Sequence, residues 1–168
     1  MGKTKVMKVF LISSNIANTP YSVYPLGLSM VAASLRNAGH EILQFDFLAS
    51  NRSLEELVKE IKAFNPGIIG ISIRNIDNVN LLNEQRYIEA VRDIVLNIRG
   101  VTSAKIILGG SGFSIMPEAI LAKVGADYGI VGEGESLIMD VINKIENKSP
   151  IREKILRSTS GLKGKDIP

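Results

Sequence analysis

Three glycine-bearing turns follow successive apolar runs: Tyr24-Pro25-Leu26-Gly27, Gly109-Gly110-Ser111-Gly112 and Gly132-Glu133-Gly134-Glu135. The runs have the length and apolar content of strands buried on both faces, which is the signature of a parallel sheet wrapped by helices. All strands of such a sheet point the same way, so the turns that follow them gather at one edge. That edge is where open α/β sheets bind ligands. Glycine there admits positive φ and lets backbone approach a ligand closely.

Between the turns the periodicity alternates as this arrangement requires. Val6 to Ile12, Ile42 to Phe47, Ile68 to Ile73, Ala104 to Leu108 and Tyr128 to Val131 read as strands. Helices are expected from Pro25 to about Gly39, from Ser53 to Phe64, from about Tyr87 to Ile98, over Pro117 to Lys123, and from about Gly134 to Ile145. Ser53 and Glu56 form a capping-box pair ahead of Leu57, Val58, Ile61 and Phe64, and Pro66-Gly67 stops that helix. Strands alternating with helices predict a three-layer, Rossmann-like α/β fold. The expected form is a flavodoxin-like, doubly wound, five-stranded parallel sheet of order 2-1-3-4-5.

A chain of 168 residues, 45% hydrophobic, is long enough for one core and too short to expect two. Residues 1–147 are expected to form that domain and residues 148–168 a linker or tail toward a missing C-terminal domain. The tail holds Lys148, Arg152, Lys154, Arg157, Lys163 and Lys165 against Glu153 and Asp166. Its local charge of +4 leaves −1 for the remainder of the +3 chain. A nearly neutral body without tryptophan has neither the basic face nor the stacking platform that nucleic acid needs. The absence of cysteine removes disulfides and thiolate metal sites, and no apolar run approaches membrane-spanning length. A soluble cytoplasmic protein with no nucleic-acid or membrane partner is the expectation.

In the 2-1-3-4-5 order the loops after the first and third strands diverge and leave a crevice. Ser13, Ser14, Asn15, Asn18 and Thr19 line one side, and Ser72, Arg74, Asn75, Asp77 and Asn78 the other. These mostly uncharged hydrogen-bonding groups suit a ligand rich in amides and hydroxyls. No phosphate-binding P-loop is present, and the first strand-to-helix turn lacks the dinucleotide glycines. A phospho-acceptor site would need acidic residues after the first strand and at the end of the third, and both places lack them.

His40, the single histidine, falls in a helix-to-strand turn at the opposite edge and reads as a solvated or capping residue. Glu133 and Glu135, at a helix start, are expected to cap N–H groups and complement the helix dipole. Asp46 and Asp127 sit at opposite ends of different strands with no base, nucleophile or metal partner. No catalytic residue is predicted. At this level a flavin or nucleotide module and an interaction scaffold without ligand both stay open.

The glycine turns carry a resemblance. Pro25-Leu26-Gly27-Leu28, Leu35 with Gly39-His40, Pro66-Gly67-Ile68-Ile69-Gly70-Ile71-Ser72, Gly109-Gly110 with Ser114 and Pro117, and Ala126-Asp127 leading to Gly132-Glu133-Gly134-Glu135 occur in order over residues 6 to about 147. This pattern resembles the N-terminal cobalamin-binding domain of cobalamin-dependent radical-SAM enzymes. The resemblance implies that cobalamin, and with it cobalt, is bound here, with the corrin ring over the carboxyl ends of the strands and the nucleotide tail beside the third and fourth. Ser72 would lie near the base of the tail, Gly109 and Gly110 would make room for it, and Gly132 and Gly134 would close the wall. The implied contact set is Ser13, Asn15, Pro25, Gly27, Ser72, Arg74, Asn75, Gly109, Gly110, Ser111, Gly112, Gly132, Glu133 and Gly134.

Methyl transfer or a related radical reaction would be carried out jointly with an absent barrel domain that holds S-adenosylmethionine and a 4Fe-4S cluster, and the present domain would bind without catalysing. An apolar patch is expected where that domain docks. Two departures from the pattern have consequences. No histidine occurs between Ser13 and Gly27, so no histidine lower ligand to cobalt is expected. Gly112 stands where many relatives have histidine.

Overall fold

The computed structural model describes residues 6–17, 23–76 and 87–158. Its core is a parallel sheet of six strands in the order β2-β1-β3-β4-β5-β6. The strands are β1 Lys8–Ser13, β2 Glu41–Asp46, β3 Ile68–Ser72, β4 Lys105–Gly109, β5 Tyr128–Val131 and β6 Ile155–Arg157. The helices are α1 Leu26–Asn37, α2 Leu54–Phe64, α3 Tyr87–Arg99, α4 Ser111–Ile115, α5 Pro117–Val124 and α6 Gly134–Glu146. The first five strands take the expected order. No helix among the described residues is long and apolar enough to cross a membrane.

Strand alternation divides the core in two. Phe10, Ile12, Ile69, Ile71, Ile106 and Leu108 face α2, α3, α4 and α5, where Leu57, Ile61, Val91, Ile94 and Phe113 complete a large cluster. Val9, Leu11, Ile68, Ile107 and Ile130 face α1 and α6, packing on Leu28, Ala32, Leu35, Ile138, Val141 and Ile142. Local signals fix the ends of α2. The Ser53 hydroxyl accepts from the Glu56 N–H at 3.1 Å, and Asn65 closes the helix at φ 51°. Pro117 opens α5 as its first residue, where no hydrogen bond is lost.

Two elements differ from the sequence reading. Helix α4 precedes α5, separated from it by Met116. It forms because the Gly112 N–H donates to the Ile73 carbonyl at 2.9 Å, a tertiary bond that no local pattern announces. Strand β6 lies in the segment read as a linker. The crossing from β5 to β6 runs in the same direction along the sheet as β3 to β4, but α6 lies on the face opposite α3. Its hand is therefore opposite to the other crossings, against the strong right-handed preference that an expected topology relies on. The Arg157–Glu118 ion pair and the Gly129 N–H to Lys154 carbonyl bond at 2.8 Å hold β6 in place.

Candidate functional site

At the carboxyl edge, parallel register puts Ser13, Ser72 and Gly109 side by side on β1, β3 and β4. Two residues deeper on the same face, Leu11, Gly70 and Ile107 form a second row. The upper row consists of serine and glycine, and α1 and α6 do not close onto the sheet there, so no side chain fills the space. A cleft of about 690 Å³ results. That volume lies within the range of small-molecule sites, about 300–1,000 Å³. All three glycine turns reach it: Tyr24, Pro25, Leu26 and Gly27 from one side, Gly109, Gly110 and Ser111 across the sheet, and Gly132, Glu133 and Gly134 at the start of α6.

The opening does not lie between the loops after β1 and β3. Those loops are tied together, the Ser14 N–H and hydroxyl both donating to the Ser72 carbonyl at 3.2 and 2.9 Å. The space is on the α1/α6 face of the sheet. Ser13, Asn15, Ser72 and Arg74 line it, while Asn75 does not. Asn18, Thr19, Asp77 and Asn78 lie outside the described residues. Asn15 closes its own loop, its side chain donating to and accepting from the Ala17 backbone at 3.2 and 3.1 Å. Arg74 is the single cation among the lining residues, and Glu133 and Glu135 are the anions.

The glycines divide by use. A Cβ on Gly109 would meet nothing closer than the Ile130 carbonyl at 3.8 Å, so its missing side chain is open space on the cleft face. Gly110, at φ 98° and ψ 168°, would bring a Cβ to 2.5 Å from the Ile73 carbonyl. Only glycine populates that backbone region readily. Gly112 does not line the cleft. A Cβ there would lie 2.8 Å from the Arg74 carbonyl group, so its smallness seats α4 against the chain after β3, and with this backbone a histidine has no place. Gly134 lets the start of α6 approach Val31 of α1.

Glu133 is the N-cap of α6, yet its side chain makes no capping bond, contrary to the sequence expectation, and the residue lines the cleft. Tyr24 stands on the rim, 70% exposed. Its phenol oxygen accepts from the Ser29 hydroxyl at 2.9 Å, which in turn accepts from Gln44 Nε2 at 3.2 Å. Val23 and Leu26 beside it, and Ile115 and Met116 at the end of α4, are exposed apolar groups near the same edge.

The remaining titratable candidates are structural. His40 lies at the opposite edge of the sheet as expected, but it is buried, only 5% exposed, and its Nδ1 accepts from the Met7 N–H at 3.3 Å. Asp46 accepts from the Leu48 and Ala49 N–H groups. Burial raises the Asp127 carboxyl, but hydrogen bonds from Arg99, the Ile106 N–H and Lys105 together with the Arg99 charge outweigh it and hold the group below the usual carboxylate range. No group of three or more His, Cys, Asp or Glu that could hold a metal ion exists among the described residues. The floor of the cleft, Leu11, Gly70, Ile107 and Ile138, was not singled out from sequence. The signal was present in the period-two alternation, which places Leu11 beneath Ser13 and Ile107 beneath Gly109.

A family model described as B12 binding domain matches residues 12–142. Tryptophan 2-C-methyltransferase of Streptomyces laurentii is 28% identical over 134 residues, which is 79% of this chain and 22% of that protein. Cytidylyl-2-hydroxyethylphosphonate methyltransferase of Streptomyces wedmorensis is 28% identical over 155 residues, 78% of this chain and 27% of that protein. The chain thus spans about a quarter of the curated relatives it matches. The radical S-adenosylmethionine methyltransferase TsrM from Kitasatospora setae, with cobalamin and a 4Fe-4S cluster bound, superimposes at TM-score 0.78 with 26% identity, over 87% of this chain and 26% of its own. OxsB, a cobalamin-dependent S-adenosylmethionine radical enzyme with aqua-cobalamin bound, shares the fold at TM-score 0.70 and 21% identity, over 89% of this chain and 20% of its own.

Proposed function

The chain belongs to the B12 binding domain family, and from that premise we propose that its cleft receives the nucleotide tail of cobalamin while the corrin ring lies over the carboxyl ends of β1, β3 and β4. The observation that carries this reading is the open slot between the sheet and α1/α6, found where the row Ser13, Ser72 and Gly109 carries no large side chain. A ligand as large as a corrinoid exceeds the slot, so a tail inside and a ring above is the arrangement that fits.

The residues present suit that ligand. The Ser72 hydroxyl lines the slot and would offer a ring nitrogen of the base a hydrogen-bond partner, Gly109 leaves the wall open, and Arg74 would supply one positive charge for a ligand with one phosphate. The free N–H groups at the start of α6, beside Gly132, Glu133 and Gly134, can donate to side-chain amides of the ring. When bound, cobalamin supplies a cobalt centre able to carry a methyl group. The role of this chain is to hold and orient the cofactor and to shield one face from water. No histidine lines the cleft among the described residues, and His40 lies at the other edge of the sheet, so no imidazole ligand to the lower face of cobalt belongs to the proposal.

We further propose that the domain serves a radical-SAM enzyme performing methyl transfer or related radical chemistry, with S-adenosylmethionine and the 4Fe-4S cluster in another domain. That domain would cover the exposed apolar groups Val23, Tyr24, Leu26, Ile115 and Met116. A cytoplasmic location and the lack of nucleic-acid and membrane partners complete the reading. The test is direct. Purified protein is mixed with hydroxocobalamin, desalted, and its visible spectrum recorded. Retained cobalamin with the base detached from cobalt is the expected result, and loss of all colour from folded protein overturns the reading.

A further inference from the structure

We infer that the floor of the slot selects corrinoids by their terminal base, accepting an apolar aromatic ring and disfavouring a purine. The inference rests on the cobalamin reading above and adds to it the chemical class of base that the slot accepts. Its basis is the depth at which polar groups stop. Leu11, Gly70 and Ile107 lie two residues, roughly 6–7 Å, deeper than Ser13, Ser72 and Gly109.

At this deeper level the lining is apolar. Leu11 leans over Gly70, whose hypothetical Cβ would meet Leu11 Cδ2 at 2.7 Å and Ile138 Cδ1 at 4.0 Å. Ile107 and Leu11 are almost wholly buried, and Val31 of α1 lines the slot above them, beside Gly134 at the start of α6. The strand amides and carbonyls at this level are engaged in the parallel ladders of the sheet. The hydroxyls and charges of the lining belong to the upper row, to the loops beyond it or to the first residues of α4 and α6.

A base entering this slot therefore finds the hydroxyls of Ser13 and Ser72 near the rim and hydrocarbon below. Dimethylbenzimidazole has one ring nitrogen to satisfy and two methyl groups to bury. Adenine carries an amino group and additional ring nitrogens, and those that point to the floor, beyond reach of the Ser13 and Ser72 hydroxyls, would lose water without gaining a partner.

The experiment compares three corrinoids that share ring, ribose and phosphate but end in dimethylbenzimidazole, p-cresol or adenine. Binding to the purified protein is followed by equilibrium dialysis and visible absorbance. The cresolyl form has no nitrogen to coordinate cobalt and adenine coordinates it weakly, so this pair reports the slot and not the cost of detaching the base. We expect the cresolyl form to bind at least about tenfold more tightly than the adeninyl form, the weight of one buried unpaired polar group. Val31→Thr, which adds a hydroxyl at constant shape, should narrow that ratio several-fold. Equal or tighter binding of the adeninyl form, or a ratio unmoved by Val31→Thr, overturns the inference while leaving the cobalamin reading standing. Failure of all three to bind overturns both.

Discussion

The adjacent glycines Gly109 and Gly110 should fail in different ways when each is given a side chain. At Gly110, alanine must adopt φ 98° and ψ 168°, a region that costs about 1–3 kcal/mol for any residue with a Cβ. The Cβ would also stand 2.5 Å from the Ile73 carbonyl and 3.0 Å from the Ile73 nitrogen. Neither backbone group can yield freely, because Ile73 accepts from the Gly112 N–H at 2.9 Å and donates to the Gly109 carbonyl at 2.8 Å. Breaking both bonds adds about 0.5–1.5 kcal/mol each. Gly110→Ala should therefore lose about 2–6 kcal/mol, a large part of the about 5–15 kcal/mol that holds a domain together.

At Gly109 the nearest atom to a new Cβ is 3.8 Å away, an ordinary contact, and the unfolded chain loses freedom. Gly109→Ala should hold its stability or gain up to about 1 kcal/mol. The larger Gly109→Val puts its methyl groups into the slot and should weaken cobalamin binding about tenfold or more, the cost of overpacking a fitted site. Urea unfolding followed by circular dichroism, with cobalamin binding measured on the same preparations, separates the two. With slopes of about 1–3 kcal/mol per molar urea, Gly110→Ala should shift the midpoint visibly downward and Gly109→Ala should not. A Gly110→Ala protein within about 0.5 kcal/mol of the parent would refute the conformational argument. A Gly109→Val protein with undiminished cobalamin affinity would refute the spatial one.

Other outcomes follow from the same geometry. Asp127→Asn should cost about 1 kcal/mol at neutral pH, since the group keeps about a fifth of its side chain in water and its more exposed partners Arg99 and Lys105 are screened. The Asp127 carboxyl sits below its unfolded value, so its contribution is present above about pH 4 and fades as pH falls through the folded value. Acid titration of stability should flatten in Asp127→Asn, and an unchanged acid limb would contradict the assignment. Ser53→Ala removes the α2 cap and should cost about 1 kcal/mol by thermal or urea unfolding while leaving cobalamin retention untouched. Ending the chain at Asn147, the boundary expected from sequence, removes β6 and uncovers the edge of β5. That chain should unfold at lower urea than one ending at Ser158, and equal midpoints would show that β6 adds nothing.

Much of the architecture is written in local pattern. Five apolar runs alternate with helical periods, and the capping pair Ser53 and Glu56 marks the start of α2 to the residue. What escaped was set by contacts between distant segments. Helix α4 depends on the Ile73 carbonyl, and its glycine looks from sequence like a turn. Strand β6 is three residues long and reached by a crossing of the disfavoured hand. His40 is buried by its neighbours although its position in a turn suggests solvent.

The glycines show why the site itself is harder to read than the fold. Gly129 lies on β5 between Tyr128 and Ile130, just as Gly70 lies on β3 between Ile69 and Ile71, and nothing in either tripeptide separates them. On the α4 face, the Phe113 ring fills the place of the Gly129 side chain, with a hypothetical Cβ only 2.2 Å from Cζ. On the α1 face, Gly70 is covered by the tip of Leu11 and Gly109 by nothing. A glycine in a strand therefore announces missing volume, and the residues across from it decide whether that volume is packed, half filled or left for a ligand. Phe113→Ala would turn the first case into the third by emptying buried space against Gly129. Such a change should cost about 3–5 kcal/mol, as deep aromatic truncations do, and it would create a cavity on the face opposite the slot. Cobalamin binding should survive it in whatever fraction of the protein remains folded, because Phe113 does not line the slot and packs on the opposite face of the sheet. Loss of binding in the folded fraction would mean that the sheet carries strain from one face to the other, and the division of the core into a packed side and a receiving side would then be wrong.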